Sequence, residues 1–345
     1  MRIATLLVVA AILASGCVSE DEPTFEWTHE PRPVEAEPEM PPAKDLPPLQ
    51  DPIPVPEAEP LRFLVIGDQG TGDENQYAVA ETMAAVCAAQ GCDFVIANGD
   101  NVYDVGAITE YDPAFDSKFE TPYAQVNLPF YLTLGNHDNG FIGAVTALGD
   151  TQVKYTYRED RPSQMWNLPA RFYSQAFGDV LEIFSLDTDT IDKDYAWANT
   201  SIVAGEVQQT WIRERIEASN ATWKISFGHY NYISNGNYGD GNPSFKTALE
   251  NSICDRVQFH LQGHDHDLQW LNPVESCGRT EFIVSGAAGK TRPDNDHGFE
   301  ERFSTGDTLG FAWVEIIGES LRLQFIDVDQ EVLFEQTVTK SELGW

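Results

Sequence analysis

The chain has 345 residues and a formal net charge of −34 at pH 7, because 55 acidic side chains outnumber 21 basic ones. Long basic stretches are absent, so we predict no nucleic-acid partner. Strong acidity also repels anionic substrates at long range, so a phosphate site in this chain needs positive charge close to it.

The first residues have the pattern of an export signal. Met1-Arg2 is followed by an apolar run from Ile3 to Ala14 and then by Ser15-Gly16-Cys17. The run is shorter than the roughly 20 residues that a membrane-spanning helix needs. Leu13 to Cys17 resembles a bacterial lipobox, although Leu13 stands one residue too far from the cysteine. We therefore predict a lipoprotein signal peptide at residues 1–16 and a lipid anchor on Cys17 in the bacterial cell envelope. Ordinary cleavage, with a periplasmic or secreted product, is the alternative.

Residues 17–60 have the composition of a tether. Between Val18 and Pro60 lie 12 of the 20 prolines, 12 acidic residues and 2 basic residues. A segment of this kind buries no core, so we predict an extended, disordered spacer. The remaining residues, 61–345, fit one large α/β domain.

The domain begins with a β-α-β pattern. Leu61 to Ile66 and Phe94 to Ala97 are apolar runs that predict buried strands, and residues 74–90 between them have helical spacing. A third strand is predicted from Leu128 to Leu134. This alternation indicates a parallel core.

The rest of the domain predicts further strands and two helices. Helices are expected at residues 206–219 and 243–254. Strands are expected at residues 171–177, 180–186, 223–227, 257–261, 282–284, 311–317, 321–327 and 332–338. The last four alternate in the manner of antiparallel strands joined by tight turns. We therefore predict an α/β fold of two mixed β-sheets, packed as a sandwich with helices outside.

Four cysteines besides Cys17 lie in the domain. An even number in an exported protein indicates two disulfides, and the pairings Cys87–Cys92 and Cys254–Cys277 close short loops. A zinc site made of these four is the alternative, although the CxxC spacing typical of such sites is missing.

Metal-type donors recur where the predicted strands end. Gly99-Asp100-Asn101-Val102-Tyr103 offers a carboxylate, an amide and a phenol, and four other strand ends carry Asp68, Asn136 with His137, His229, and His264 with His266. Each segment alone is typical of a hydrogen-bonded turn. Five together, at the edge where open α/β sheets bind ligands, indicate a metal site. Oxygen and imidazole donors without thiolate suit Fe, Mn or Zn.

These five segments resemble, in order and chemistry, the five blocks of the metallophosphoesterase superfamily. Tyr103 in the second block, the run from His264 to Leu271 and Val284-Ser285-Gly286-Ala287 resemble the purple acid phosphatases, especially the tartrate-resistant type. The resemblance covers residues 61–338 and implies a four-layer αββα fold.

The resemblance also implies a ligand set. One metal, Fe(III), would be bound by Asp68, Tyr103 and His266. The second, a divalent Fe, Zn or Mn ion, would be bound by Asn136, His229 and His264. Asp100 would bridge the two, and no expected ligand is missing.

The activity implied is that of an acid phosphatase acting on small phosphate monoesters, by in-line attack of a metal-bound hydroxide. A phosphodiesterase or nucleotidase on the same two-metal core is the alternative enzyme. The non-enzyme alternative is a surface binding protein with the same fold. The complete set of expected metal ligands argues against it. The sequence identifies neither the physiological substrate nor the oligomeric state.

For other residues near the predicted ligands, the sequence leaves a functional and a structural role possible. His137 corresponds to a family histidine that contacts phosphate or the leaving group; a structural hydrogen bond is the alternative. Tyr238 stands nine residues after His229, where the tartrate-resistant type has a histidine, and would contact the substrate as a weak acid. Lys290 and Arg292 could bind phosphate, but we interpret them as solvent-exposed. Asp187-Thr188 matches a family sequence and is interpreted as a structural strand end.

Overall fold

The computed structural model describes residues 46–56, 59–140, 148–193 and 205–345. The predicted signal peptide, Cys17 and the tether up to residue 45 lie outside the described residues. None of the helices within the described ranges combines the length and the apolar character needed to cross a membrane.

Fourteen strands and five helices are present in the described residues. The strands are β1 Leu61–Ile66, β2 Phe94–Ala97, β3 Phe130–Leu132, β4 Trp166–Asn167, β5 Tyr173–Phe177, β6 Leu181–Ser185, β7 Trp223–Phe227, β8 Phe259–Gln262, β9 Leu268–Leu271, β10 Glu281–Ser285, β11 Glu301–Thr305, β12 Gly310–Ile317, β13 Ser320–Asp327 and β14 Val332–Thr339. The helices are α1 Glu74–Gln90, α2 Thr121–Tyr123, α3 Leu148–Thr156, α4 Gly205–Ala218 and α5 Pro243–Ser252. A π-helical turn at Asp116–Glu120 precedes α2, and a 3₁₀ turn at Glu275–Cys277 follows β9.

Local sequence explains both ends of α1 and the start of α5. The Asp73 side chain caps α1 by accepting hydrogen bonds from the amides of Asn75 and Gln76, and Gly91 ends the helix with a φ of 86°. Asn242 caps α5 in the same way, and Pro243 occupies its first turn, where a missing N–H costs nothing.

The strands form two seven-stranded sheets. The first has the order β14-β13-β12-β1-β2-β3-β4, and the second has the order β11-β9-β10-β8-β7-β6-β5. The neighbours β1, β2, β3 and β4 are parallel, as are β6, β7, β8 and β10. The outer strands β12 to β14, β9, β11 and β5 pair antiparallel. The prediction of two mixed sheets is confirmed.

The second sheet is covered on both faces. Successive side chains of a strand point to opposite faces, and in β10 Ile283 enters one apolar core while Phe282 and Val284 enter another. The first core also contains side chains of β1, β2 and α1, including the stacked rings of Phe63 and Phe94. The second contains the apolar sides of α4 and α5. Helices therefore flank the pair of sheets, as expected.

Both predicted disulfides are confirmed, Cys87–Cys92 and Cys254–Cys277. Because all four cysteines form disulfides, the alternative of a zinc site made of these cysteines is wrong.

Part of the predicted tether lies against the domain. Ile53 pairs with Phe177 in a parallel bridge, and the Ile53 amide donates to the Ala176 carbonyl oxygen at 2.9 Å. The side chain of Gln175 donates to the Asp51 carbonyl oxygen, also at 2.9 Å. Ordered contacts with β5 therefore begin upstream of residue 61.

A buried ion cluster joins the end of β6 to helix α3 and to the loop that precedes β5. Arg171 donates to Asp187 at 2.7 Å and to Asp150 at 2.8 Å, and all three residues are buried. This supports the interpretation of Asp187 as a structural residue. The neighbouring Thr188 hydroxyl accepts from the amides of His229 and Tyr230, each at 3.1 Å.

Replacing Arg171 by Gln is expected to lower the free energy of unfolding by about 3–5 kcal/mol, because it leaves the Asp187 carboxylate buried without its guanidinium. Urea denaturation measures the effect. The control is Arg279→Gln, which breaks an exposed pair with Asp255 and should cost less than about 1 kcal/mol. Equal losses in the two variants would contradict the prediction.

Candidate metal centre

The predicted ligands all follow the carboxyl ends of parallel strands. Asp68 follows β1, Asp100 and Tyr103 follow β2, and Asn136 follows β3 in the first sheet. His229 follows β7, and His264 and His266 follow β8 in the second sheet. Because parallel strands end at a common edge, the fold brings these seven side chains together.

Three of these residues have a left-handed backbone. The φ angles are 58° at Asp68, 56° at Asp100 and 65° at His264. An L-residue pays roughly 1–2 kcal/mol for this conformation, and such strain concentrates at functional sites. Backbone hydrogen bonds hold the turns: the Asp68 amide donates to the Gly99 carbonyl at 3.0 Å, and the Gly70 amide donates to the Asp100 carbonyl at 3.0 Å.

Two glycines allow the turns to approach the carboxylates. A Cβ at Gly135 would lie 2.2 Å from Asp100 Oδ1, and one at Gly286 would lie 2.9 Å from Asp68 Oδ2 and 2.0 Å from the Asp265 carbonyl oxygen. Only glycine leaves room at these two positions.

The first group of donors surrounds Asp68. The Tyr103 hydroxyl lies 3.0 Å from Asp68 Oδ1, and His266 Nε2 lies 3.3 Å from the same oxygen and 3.5 Å from the hydroxyl. The other carboxylate oxygen, Oδ2, accepts from the His264 amide at 2.8 Å. Oδ1 is thereby left facing the phenol and the imidazole.

The second group surrounds His229 Nε2. This nitrogen lies 3.0 Å from Asn136 Oδ1, 3.2 Å from His264 Nδ1 and 3.4 Å from Asp100 Oδ1. The other ring nitrogen, His229 Nδ1, lies 2.9 Å from the Asn98 carbonyl oxygen. A carbonyl oxygen only accepts, so Nδ1 carries a proton, and Nε2 is the atom available to a metal.

The electrostatics of the two groups are strongly coupled. Burial alone would raise the pKa of Asp68, but the charge of His229 and the hydrogen bond and charge of His266 lower it to about 2. Burial would lower the pKa of His229, but Asp100 and Asp68 raise it. Burial and the charge of His229 lower the pKa of His264 far below its ordinary value.

The phenol of Tyr103 is held neutral in the absence of a cation. Burial, followed by the charges of Asp68 and Asp100, raises its pKa well above 10. A cation bound here must displace that proton, so metal affinity should rise with pH.

The donor set fits metal ions. Asp68, Asp100 and His229 form a buried group whose ligand atoms lie within 4.8 Å of one another. The side chains around them, Tyr103, Asn136, His264 and His266, are oxygen and nitrogen donors that face the same space. Close approach of two carboxylates and three imidazoles suits bound cations better than a network of hydrogen bonds.

A buried network behind Asp100 was missed by the sequence analysis. Asp138 accepts from the amides of Gly135 at 2.8 Å and Val102 at 3.0 Å, and from the Gln152 side chain at 2.7 Å. Burial, and then the charge of Asp100, raises its pKa to about 6. Its only sequence signal is its place in Gly135-Asn136-His137-Asp138, two residues from a predicted ligand.

The predicted substrate contacts lie at the rim. His137 Nδ1 is 2.6 Å from the Asp104 carbonyl oxygen, and His137 Nε2 is 4.0 Å from Asp100 Oδ2. The ring of Tyr238 is stacked on that of His264 at 3.9 Å and is 46% exposed.

Lys290 and Arg292 are half-buried, so their interpretation as solvent-exposed residues is wrong. Each lies on an aromatic ring, Lys290 on Tyr103 and Arg292 on Tyr238. Their positions depend on loop packing, which no local sequence pattern reports.

Residues 61–268 match the model of the calcineurin-like phosphoesterases. The chain is 28% identical to tartrate-resistant acid phosphatase type 5 of Sus scrofa, over 80% of this chain and 86% of the relative. It is 30% identical to purple acid phosphatase 3 of Arabidopsis thaliana, over 82% of this chain and 78% of the relative. The chain therefore belongs to the calcineurin-like phosphoesterases, within their purple acid phosphatase branch.

Solved structures agree on the fold. A purple acid phosphatase from yellow lupin (Lupinus luteus) seeds has a TM-score of 0.60 at 15% identity, covering 84% of this chain and 56% of that one. GAP50, the anchor in the inner membrane complex of Plasmodium, has a TM-score of 0.65 at 17% identity, covering 81% of this chain and 89% of that one. At these identities the likeness concerns the fold alone. The family, the fold and the class of enzyme predicted from the sequence are confirmed.

Proposed function

We propose that this chain hydrolyses small phosphate monoesters at a centre of two metal ions. The observation that carries the proposal is the convergence of two donor groups that share the Asp100 carboxylate. The names of the relatives, which are acid phosphatases, support a monoester as substrate and a mildly acidic working pH.

The substrate class is tested with a panel of aryl and alkyl phosphates, a bis-aryl phosphate diester and nucleoside monophosphates. We expect kcat/KM for the simple monoesters to exceed that for the diester by about tenfold or more. A chelator that strips the metals should abolish all of these activities. A preference for the diester would contradict the proposal and favour a phosphodiesterase, and a preference for nucleotides would favour a nucleotidase.

Asp68, Tyr103 and His266 would hold one ion, and Asn136, His229 and His264 the other, with Asp100 shared. A phenolate favours a hard trivalent ion, so we assign Fe(III) to the first position and divalent Fe, Zn or Mn to the second. When bound, the ions supply activation of water and stabilisation of the negative charge that develops on phosphate. The side chains themselves would hold the ions in position and would transfer a proton to the leaving group.

Replacing Tyr103 by Phe is expected to remove the visible absorption of the iron form, because the Tyr103 phenolate is the one proposed ligand that gives visible charge transfer to Fe(III). The fold should persist, since Phe keeps the ring that packs 4.5 Å from His137. Absorption spectra and iron analysis check the result. The matched control is Tyr230→Phe: its ring lies 4.7 Å from His264, but its hydroxyl donates to Asp189 at 3.4 Å. A coloured Tyr103→Phe variant would refute the iron assignment.

His137 is proposed as the residue that donates a proton to the leaving group. Its Nδ1 must donate to the Asp104 carbonyl, so Nε2 is the nitrogen that faces the centre. Tyr238 is the rival, but a phenol is a much weaker acid than an imidazolium and is a poor proton donor at pH 5 to 7.

A leaving-group series separates the two residues. His137→Ala should slow alkyl phosphates about 10²-fold or more, and aryl esters with acidic phenols much less, because only poor leaving groups need the proton. Tyr238→Phe should slow both kinds modestly and equally. If His137→Ala slows every ester alike, His137 only positions phosphate.

The lipoprotein signal at residues 1–16 and the anchor on Cys17 also belong to the proposal. They are supported by the sequence pattern, and they would place the enzyme in the bacterial cell envelope. Mass spectrometry of the mature N-terminus decides: an unmodified terminus other than Cys17 would refute the anchor.

A further inference from the structure

Two cationic side chains follow β10 on a loop that is fixed against the candidate metal centre. In this loop the Ala288 amide donates to the Gly67 carbonyl at 3.3 Å, and the Arg292 amide donates to the His266 carbonyl at 3.0 Å. The Asn75 side chain donates to the Gly289 carbonyl at 3.3 Å. The loop is therefore attached to the two turns that carry Asp68 and His266.

Aromatic rings next to the centre hold the two cations. Lys290 Nζ lies 3.5 Å from the centroid of the Tyr103 ring, whose hydroxyl contacts Asp68. The Arg292 guanidinium carbon lies 5.2 Å from the centroid of the Tyr238 ring, which is stacked on His264. The loop thus places one cation beside each donor group.

Neither cation has an ion-pair partner among the described residues. Within the described ranges, Lys290 and Arg292 form no ion pair, whereas arginines such as Arg171, Arg279 and Arg302 each bind at least one carboxylate. Arg292 Nη1 is buried and has no hydrogen-bond partner among the described residues. A buried, unused donor costs free energy unless a ligand satisfies it. In a chain of net charge −34, two unpaired cations at one rim are a local exception.

We propose that Lys290 and Arg292 determine specificity by binding a second phosphate or phosphonate group on the leaving-group side of the substrate. The inference rests on the proposed function, in which the metal centre binds the phosphate that reacts. The favoured substrates are small molecules with two phosphate groups, from which water releases one phosphate and leaves an alcohol that still carries the other. An Arg guanidinium binds a phosphate through two parallel hydrogen bonds, and Lys adds a point charge.

The test compares two substrates that differ only in the second anionic group. Propyl phosphate carries one, and 3-phosphonopropyl phosphate carries an additional phosphonate that cannot be hydrolysed. The measured quantity is the ratio of kcat/KM for the second substrate to that for the first. Inhibition constants of propylphosphonate and propane-1,3-bisphosphonate provide the same comparison for binding alone.

The wild-type ratio is expected to exceed one, and Arg292→Gln to lower it about tenfold or more, the value of a charge-assisted pair of hydrogen bonds. Lys290→Gln should lower it about threefold or more. The inhibition constants should change in the same direction. The matched controls are Arg279→Gln and Lys246→Gln, which remove cations from the rings of Trp345 and Tyr232 away from the centre. Both controls should leave the ratio unchanged.

Three outcomes would overturn the inference. Equal losses of kcat/KM on both substrates, which leave the ratio unchanged, would assign the cations to the phosphate that reacts. Wild-type kcat/KM on both substrates in both variants would show that the cations bind no substrate. Both results leave the proposed function intact. If the wild-type enzyme hydrolyses neither substrate nor any aryl phosphate, the proposed function fails and the inference falls with it.

Discussion

Replacing Asp100 by Asn is expected to lower kcat/KM for an aryl phosphate by about 10³-fold or more. The Asp100 carboxylate approaches both donor groups, and metal ions contribute several kcal/mol to phosphate hydrolysis. The backbone should tolerate the change, because Asn adopts the left-handed conformation that residue 100 requires, with a φ of 56°.

Steady-state kinetics and elemental analysis of the Asp100→Asn variant measure the effect. The loss of activity should accompany a loss of bound metal, whereas the exposed Asp255→Asn variant should retain both. Wild-type activity in Asp100→Asn would exclude a shared carboxylate as the basis of the centre.

The second large loss of activity is expected from Gly135→Ala, although this change removes no proposed metal ligand. A Cβ at this position would lie 2.2 Å from Asp100 Oδ1 and 2.4 Å from the Asp100 amide nitrogen. The Asp100 backbone must therefore shift, and misplacement of a reacting group by about 1 Å costs on the order of 10²-fold in rate. Overpacking should also lower the free energy of unfolding by about 1–3 kcal/mol.

The control for this prediction is Gly318→Asn. Gly318 has a φ of 56° and no heavy atom within 4 Å of its added Cβ, so Asn fits there. Activity assays and thermal denaturation of both variants provide the comparison. A fully active Gly135→Ala enzyme would contradict the close packing of the turn after β3 against Asp100.

Most of the centre is predictable from the sequence because its ligands directly follow apolar strands. Asp68, Asp100 and His229 each stand within three residues of a strand end, and parallel strands bring their ends to one edge. The distance of each ligand from its strand end is therefore visible in the local sequence, and the parallel order of the strands brings the ligands together. The two disulfides were predictable for a similar reason, since each closes a short loop.

Features that depend on packing between distant segments were not predictable. The strand β11, Glu301–Thr305, is polar and exposed or half-buried, so it lacks the apolar pattern that signals a strand. In helix α3 the buried positions include Asp150 and Gln152, so the inner side of the helix lacks the apolar pattern that predicts a helix. Arg292 resembles any loop arginine until its backbone bonds to His266 and its side chain lies on Tyr238.

The central claim is that two metal ions at the shared carboxylate perform the hydrolysis. The most direct test removes all metal from the purified chain, restores iron and zinc in steps, and measures bound metal and aryl phosphatase activity on the same samples. The account predicts that activity is absent without metal and reaches its maximum at two ions per chain. Full activity in the metal-free protein, or a maximum at one ion, would contradict it.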